Sequence, residues 1–215
     1  MKDILIMIEG GSFEQPKKTR LLRNAIRKLL EQKVPTSEVN LTIDPRAGER
    51  KVVKDFKIAP NNPLLLVDMD GTETELKNRL KYFDIEQEHT ENRVFFMIQK
   101  MEAWILSQPD VLEKYVKKEY LTYKRRREGK AIEDDNILKN KHPKDIEEPD
   151  KNVHSMLGRG FVENAKKKVK YESKLTTGAA LLELLDIQKL SNTFTDVKKL
   201  LEAIEMSIQN ENKTN

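Results

Sequence analysis

Two short apolar runs constrain this chain more than anything else in it. Ile4-Leu5-Ile6-Met7-Ile8 closes on Glu9-Gly10, and Leu64-Leu65-Leu66-Val67 closes on Asp68-Met69-Asp70-Gly71. Because successive residues are apolar, each run reads as a strand buried on both faces, as in a parallel sheet. The acids then fall at the carboxyl ends of the strands, where open α/β sheets carry their sites. One glutamate and two aspartates spaced Asp-x-Asp are hard oxygen donors of the kind Mg²⁺ or Mn²⁺ takes. Glycine after each acid lets the backbone turn sharply and leaves room for a phosphate.

Around these runs the pattern alternates. Thr19 to Gln32 reads as an amphipathic helix with Leu22, Ala25, Ile26, Leu29 and Leu30 on one face and a basic outer face. Val39 to Ile43 reads as a strand and Val52 to Lys57 as a short helix. Thr72 to Tyr82 reads as a helix capped by Thr72, and Arg93 to Ile98 as a fourth strand. Strand and helix in strict alternation predict a three-layer, mainly parallel α/β sheet over residues 1–106. Residues 107–209 read as a helical C-terminal extension. Val111 to Arg127 is expected as a helix, 128–160 as an irregular segment, and Leu181 to Ile187 and Phe194 to Ile208 as helices. Residues 210–215 read as a polar tail.

Composition removes several classes of function. The 215 residues contain no cysteine, which excludes disulfides and thiolate metal sites. The three histidines, His89, His142 and His154, lack zinc-site spacing. No apolar run approaches the length of a membrane span, and there is no signal-peptide pattern, so a soluble cytoplasmic protein is expected. The net charge of +4, set against 40 Lys+Arg and 36 Asp+Glu, permits nucleic-acid binding without demanding it. Local clusters matter more. Lys124-Arg125-Arg126-Arg127 and Lys166-Lys167-Lys168, with Tyr120, Tyr123 and Tyr171 interleaved, suit a phosphate backbone with some base stacking. Arg50, Lys51 and Lys174 are further phosphate-contact candidates.

The Glu9-Gly10 and Asp68-Met69-Asp70 strand ends resemble the TOPRIM domain, the metal-binding core of topoisomerases, primases and the overcoming-lysogenization-defect nucleases. Met101-Glu102-Ala103-Trp104 after the fourth strand, with Glu148-Pro149, Tyr171-Glu172-Ser173-Lys174 and Phe194 later, is similar to a TOPRIM-like bacterial family found beside ATPases in phage-defence neighbourhoods. The resemblance implies a TOPRIM-like sheet with Glu9, Asp68 and Asp70 as ligands to Mg²⁺ or Mn²⁺. It further implies a nuclease that hydrolyses phosphodiester bonds of nucleic acid, working with an ATPase partner in antiviral defence. Where such relatives carry Glu-Gly-x-Thr-Glu, this chain has Glu9-Gly10-Gly11-Ser12-Phe13-Glu14, one residue longer, which ranks Glu14 below the other acids.

Glu102 lies three residues after Gln99 and shares a helix face with it. It is a candidate catalytic acid or base beside Glu9, with Lys174 as the transition-state cation. Arg50, Lys51, Arg125, Arg126 and Arg127 are the expected nucleic-acid contacts. Trp104, the only tryptophan, is expected in the core. Two other readings stand beside the nuclease: a non-catalytic regulatory or scaffold subunit that binds an ATPase or nucleic acid, and a small-molecule phosphohydrolase. The last follows from Asp68-Met69-Asp70-Gly71-Thr72, which is similar to the haloacid-type phosphatase motif.

Overall fold

A computed structural model of the chain describes residues 1–85, 93–120, 122–125, 132–163 and 167–212. Four strands, β1 (Lys2–Glu9), β2 (Val39–Arg46), β3 (Leu64–Met69) and β4 (Val94–Ile98), form one sheet in the order β2-β1-β3-β4. Every pairing in it is parallel. β1 and β3 are the central strands, which explains their unbroken apolar runs. β2 lies at an edge and alternates buried with less buried residues.

Helix α1 (Pro16–Glu31) buries the apolar stripe expected of it, Leu22 through Leu30. It begins three residues earlier than Thr19, because Pro16 takes the first helical position, where its missing N–H costs nothing. α2 (Glu49–Ile58) links β2 to β3, and α3 (Leu76–Tyr82) follows β3. Thr72 makes no side-chain cap; it stands extended before a 3₁₀ turn, Glu73–Glu75, that precedes α3. Right-handed crossovers leaving the sheet in opposite directions put α1 on one face and α2 and α3 on the other. This is the expected three-layer α/β architecture.

α4 (Lys100–Leu106) is buried from Met101 through Leu106, a central helix with no solvent face. Trp104 is in the core, tilted against Phe194 at 6.4 Å. The second half departs from expectation in three places; in one, the expected helix from Leu181 to Ile187 is absent, since one helix ends at Leu182 and the next begins at Ile187. α5 spans Asp110–Glu119, and the backbone turns extended at Tyr120, so the expected helix to Arg127 stops early. Tyr123–Arg125 is instead strand β5, paired antiparallel with β6 (Phe161–Glu163), which pairs with β7 (Lys167–Lys168). The expected irregular stretch 128–160 contains two helices, α6 (Asn136–Asn140) and α7 (Pro149–Gly160). Pro149 opens α7 from its first turn, as Pro16 opens α1.

A π-helical turn, Lys174–Gly178, runs into α8 (Ala179–Leu182), followed by α9 (Ile187–Thr193) and α10 (Thr195–Asn212). The π turn and α8 pack on α1, and α10 packs along β4 and β1. Buried Asp196 at the start of α10 accepts the Phe96 N–H of β4 at 2.8 Å, which closes off that edge of the sheet. One contiguous hydrophobic core runs from Ile4 to Ile204. Among the described residues no helix is long and apolar enough to cross a membrane.

Candidate functional site

The chain leaves β1 toward one face of the sheet and β3 toward the other, so a crevice opens between the carboxyl ends of these two strands. Ile8 pairs with Leu66, which brings Glu9 and Asp68 to within one residue of each other in register. Gly10, at φ +122°, turns the chain away from the crevice. A Cβ there would lie only 2.9 Å from Leu22 Cδ2, while Lys174 Cε at 3.4 Å would be an ordinary contact, so glycine is what lets Leu22 of α1 pack against the end of β1.

Asp68 is held from two sides. Its Oδ1 accepts the Met101 N–H at 3.1 Å, and its Oδ2 is ion-paired with Lys174 Nζ. Burial works to lower the lysine's pKa, but Asp68, Glu102 and Glu9 together raise it, so the ammonium stays charged. Glu9 has no lysine of its own: the Asp68 backbone N–H reaches its carboxylate, but its Oε2 is buried without a hydrogen bond among the described residues. Desolvation, and then the Asp68 charge, raise its pKa to about 7 against the relief given by Lys174.

Glu102 is fully enclosed in α4, and Tyr171 Oη donates to its Oε1 at 2.5 Å. Desolvation first, then Asp68, push this carboxyl up, while the Tyr171 hydrogen bond and Lys174 pull it back. Tyr171 in turn is raised, by burial first and then by the Glu102 charge. Gly178 of the π turn makes this approach possible, since a Cβ would stand 2.6 Å from Tyr171 Oη. The π turn therefore supplies Lys174 at its start and clearance for Tyr171 at its end, a use of π geometry that recurs at functional sites.

Asp70 stands outside this group. Its side chain is 62% exposed and pairs with Lys100 Nζ at 3.1 Å. Gln99 and Lys100 both have left-handed backbones, at φ +55° and +68°, an unfavourable conformation for two successive non-glycine residues. That kink carries the chain from β4 into α4 and places the Met101 N–H on Asp68. Glu49, at the first position of α2, is an acid the sequence did not single out. It pairs with Arg79; its pKa is raised by burial first, with Asp70 and Asp68 adding to the effect. Asp-x-Asp spacing exposes such a group only once β2 and β3 are known to be neighbours of β1. Glu14 is exposed.

Among the described residues no three Asp, Glu or His side chains form a group that would hold a metal ion by themselves. The Glu9, Asp68 and Asp70 trio is thus not drawn together as one ligand set. What converges is Glu9, Asp68, Glu102 and Lys174. The chemistry of this set fits a hard divalent cation in one specific respect. Glu9 Oε2 and Asp68 are oxygen donors side by side, one of them unpartnered, and Mg²⁺ is commonly held by one or two carboxylates while water and substrate phosphate complete its shell.

The expected nucleic-acid contacts lie in two places. Arg50 donates to Tyr82 Oη at 3.3 Å from both Nε and Nη2, and Lys51 pairs with Asp55 at 3.6 Å, both on α2. Arg125 is on β5, while Arg126 and Arg127 lie outside the described residues. His142 caps the turn Pro143–Asp145 through Nδ1, a structural role. No curated protein and no solved structure shows a match to this chain. A family model does match, over residues 5–205, which takes in the described strands apart from the first three residues of β1, and the whole converging group. The chain belongs to the family described as Domain of unknown function (DUF4276).

Proposed function

We propose that the chain is a divalent-metal-dependent hydrolase of phosphodiester bonds in nucleic acid, on a TOPRIM-like sheet end. The observation that carries the reading is the unpartnered, buried Glu9 Oε2 beside Asp68, an acidic pair with a net demand for positive charge. Glu9 and Asp68 would hold Mg²⁺ or Mn²⁺, which when bound polarises a phosphoryl oxygen and lowers the pKa of a bound water. Lys174 orients Asp68 through their ion pair, and places a fixed cation where charge gathers on a phosphorane-like transition state. Glu102, oriented by Tyr171 through Oε1, would serve as the base toward the attacking water. Asp70, out at the rim with Lys100, is assigned an outer role rather than a catalytic one. The resemblance to the overcoming-lysogenization-defect nucleases extends the proposal to work beside an ATPase in the cytoplasm, in defence against phage.

One observation favours a second reading. Lysines already neutralise both aspartates, Lys174 on Asp68 and Lys100 on Asp70, which is the state expected of a regulatory or scaffold subunit with no catalysis. An assay on plasmid and single-stranded substrates with Mg²⁺ or Mn²⁺ separates the two. The nuclease reading expects cleavage that EDTA and Glu9→Gln both abolish. Cleavage that survives Glu9→Gln moves the chemistry elsewhere. No cleavage with either metal, with a candidate ATPase added, selects the scaffold. Hydrolysis of an aryl phosphate alone selects a small-molecule phosphohydrolase.

A further inference from the structure

α2 and α3 lie side by side on one face of the sheet, and an open groove of about 410 Å³ runs between them. Six residues line it: Arg50, Val53, Lys54, Lys57, Tyr82 and Phe83. Three are cationic and none is acidic. Val53 and Phe83 are buried and form an apolar floor, while Tyr82 is more than half exposed. The cations recur at positions 50, 54 and 57, one stripe of the helix, and extend about 10 Å along its axis.

These cations are not all committed elsewhere. Arg50 binds the neutral Tyr82 hydroxyl, Lys57 meets the fully exposed Asp84, and no ion pair or hydrogen bond of Lys54 is found among the described residues. Arg79 closes one end. Its guanidinium lies over the rings of Tyr82 and Phe83, at 5.3 and 5.1 Å, and pairs with Glu49, the residue before Arg50. α2 begins three residues after β2, whose Arg46 carbonyl accepts the Gly10 N–H at 3.1 Å, so the Arg50 end of the groove lies at the sheet end that carries Glu9. On the other flank Phe13, 75% exposed, sits on the loop after Glu9-Gly10, with Lys51 Nζ 5.8 Å from its ring centroid. A lone exposed phenylalanine is ordinary. An exposed ring beside a cation at each flank of a basic helix is an arrangement with a use.

We propose that this face of α2 is the binding track for single-stranded nucleic acid, with phosphates on Arg50, Lys54 and Lys57 and bases on Tyr82 and the Val53–Phe83 floor. Apolar floor and aromatic faces serve only unpaired bases, because a duplex has already covered its base faces by stacking. The stripe is also longer than one phosphate group, which matches a strand rather than a free nucleotide. The inference rests on the phosphodiesterase reading for its substrate class and adds the strandedness and the route to the site.

The test is fluorescence anisotropy of a short fluorescein-labelled oligothymidylate in EDTA, where binding is read without cleavage. Lys54→Gln plus Lys57→Gln is expected to weaken binding about tenfold or more. It should also reduce the slope of log affinity against log salt by about 1.4, two contacts at about 0.7 each. Tyr82→Ala is expected to weaken strand binding about fivefold or more, whereas Tyr82→Phe retains it and a duplex of the same length is unaffected by either. Circular dichroism and melting curves confirm that each variant is folded. Thymidine monophosphate should compete only at far higher concentration. Wild-type affinity and salt slope in the lysine variant, or a preference for duplex, overturns the inference. Either result leaves the Glu9 site untouched. Conversely, groove-dependent strand binding with no cleavage under any metal removes the hydrolase and leaves the track.

Discussion

Tyr171 donates its hydroxyl to Glu102 at 2.5 Å and so fastens the segment before the π turn to the central helix α4. Both groups are largely buried, and among the described residues no other side chain donates a hydrogen bond to this carboxylate. Tyr171→Phe is therefore expected to destabilise the protein by about 1–3 kcal/mol, the cost of leaving a buried acceptor unsatisfied. In a chain of this size that lowers Tm by several degrees. Adding Glu102→Gln should recover part of the loss, because the unmet charge is gone. A double-mutant cycle with zero coupling energy would mean that the two groups do not interact in solution.

Lys174 and Asp68 are 106 residues apart in sequence and directly paired. Lys174→Met leaves Asp68 with only the Met101 N–H. The expected loss is about 1–3 kcal/mol, below the 3–5 kcal/mol typical of a fully buried pair, since both side chains retain some exposure. The same variant should gain more in Tm than wild type on addition of Mg²⁺, because the ion then meets an uncompensated acid. Equal Mg²⁺ shifts in the two proteins would place metal binding elsewhere.

Glu9 supplies a pH dependence with a definite sign. Folded, it holds its proton up to about pH 7, against 4.5 for an ordinary glutamate. The folded state binds the extra proton between these values, so this contribution to stability is complete below pH 4.5 and is lost as pH rises through 7. Glu49 and Glu102 are shifted the same way, so the quantity to read is the difference between wild type and Glu9→Gln. The urea midpoint of wild type should fall relative to that of Glu9→Gln across this window. A difference that is flat with pH would mean that Glu9 is ionised in the crevice throughout.

Asp196 tests the fold apart from the site. Asp196→Ala leaves the Phe96 N–H of β4 buried without an acceptor, for an expected cost of about 1–3 kcal/mol in urea unfolding. Strand binding and the Mg²⁺ response of the folded protein should not change. A loss in either would tie the β4 edge to the crevice.

The sheet was legible because β1 and β3 are central strands whose burial on both faces writes itself as continuous apolar sequence. The same logic found α1, whose stripe from Leu22 to Leu30 is the buried face observed. Pro16 and Pro149 each open a helix outside the expected bounds, since proline, excluded from a helix interior, is tolerated at its first turn. β5, β6 and β7 were hidden by length: strands of three, three and two residues are too short to show alternation. Within the site, Glu9, Asp68, Glu102 and Lys174 were readable as chemical types. What could not be read was which lysine meets which acid, because the pairing depends on how the last third of the chain packs back on α1 and α4. Glu49 was missed because its partners are also distant in sequence, though within the first half of the chain. Its setting is made by Arg79 and by neighbouring strand ends, and nothing adjacent in sequence marks it.

The π turn has a consequence for the order of events during synthesis. Every strand of the parallel sheet, together with Glu9, Asp68 and Glu102, has been translated by Leu106, yet Tyr171, Lys174 and Gly178 arrive some seventy residues later. Until then a nascent chain carries two acids at strand ends and a third on α4, with neither their cation nor their hydroxyl donor. The crevice is therefore completed late on the ribosome, and a fragment ending before the π turn would keep the sheet sequence while lacking the groups that set its charge.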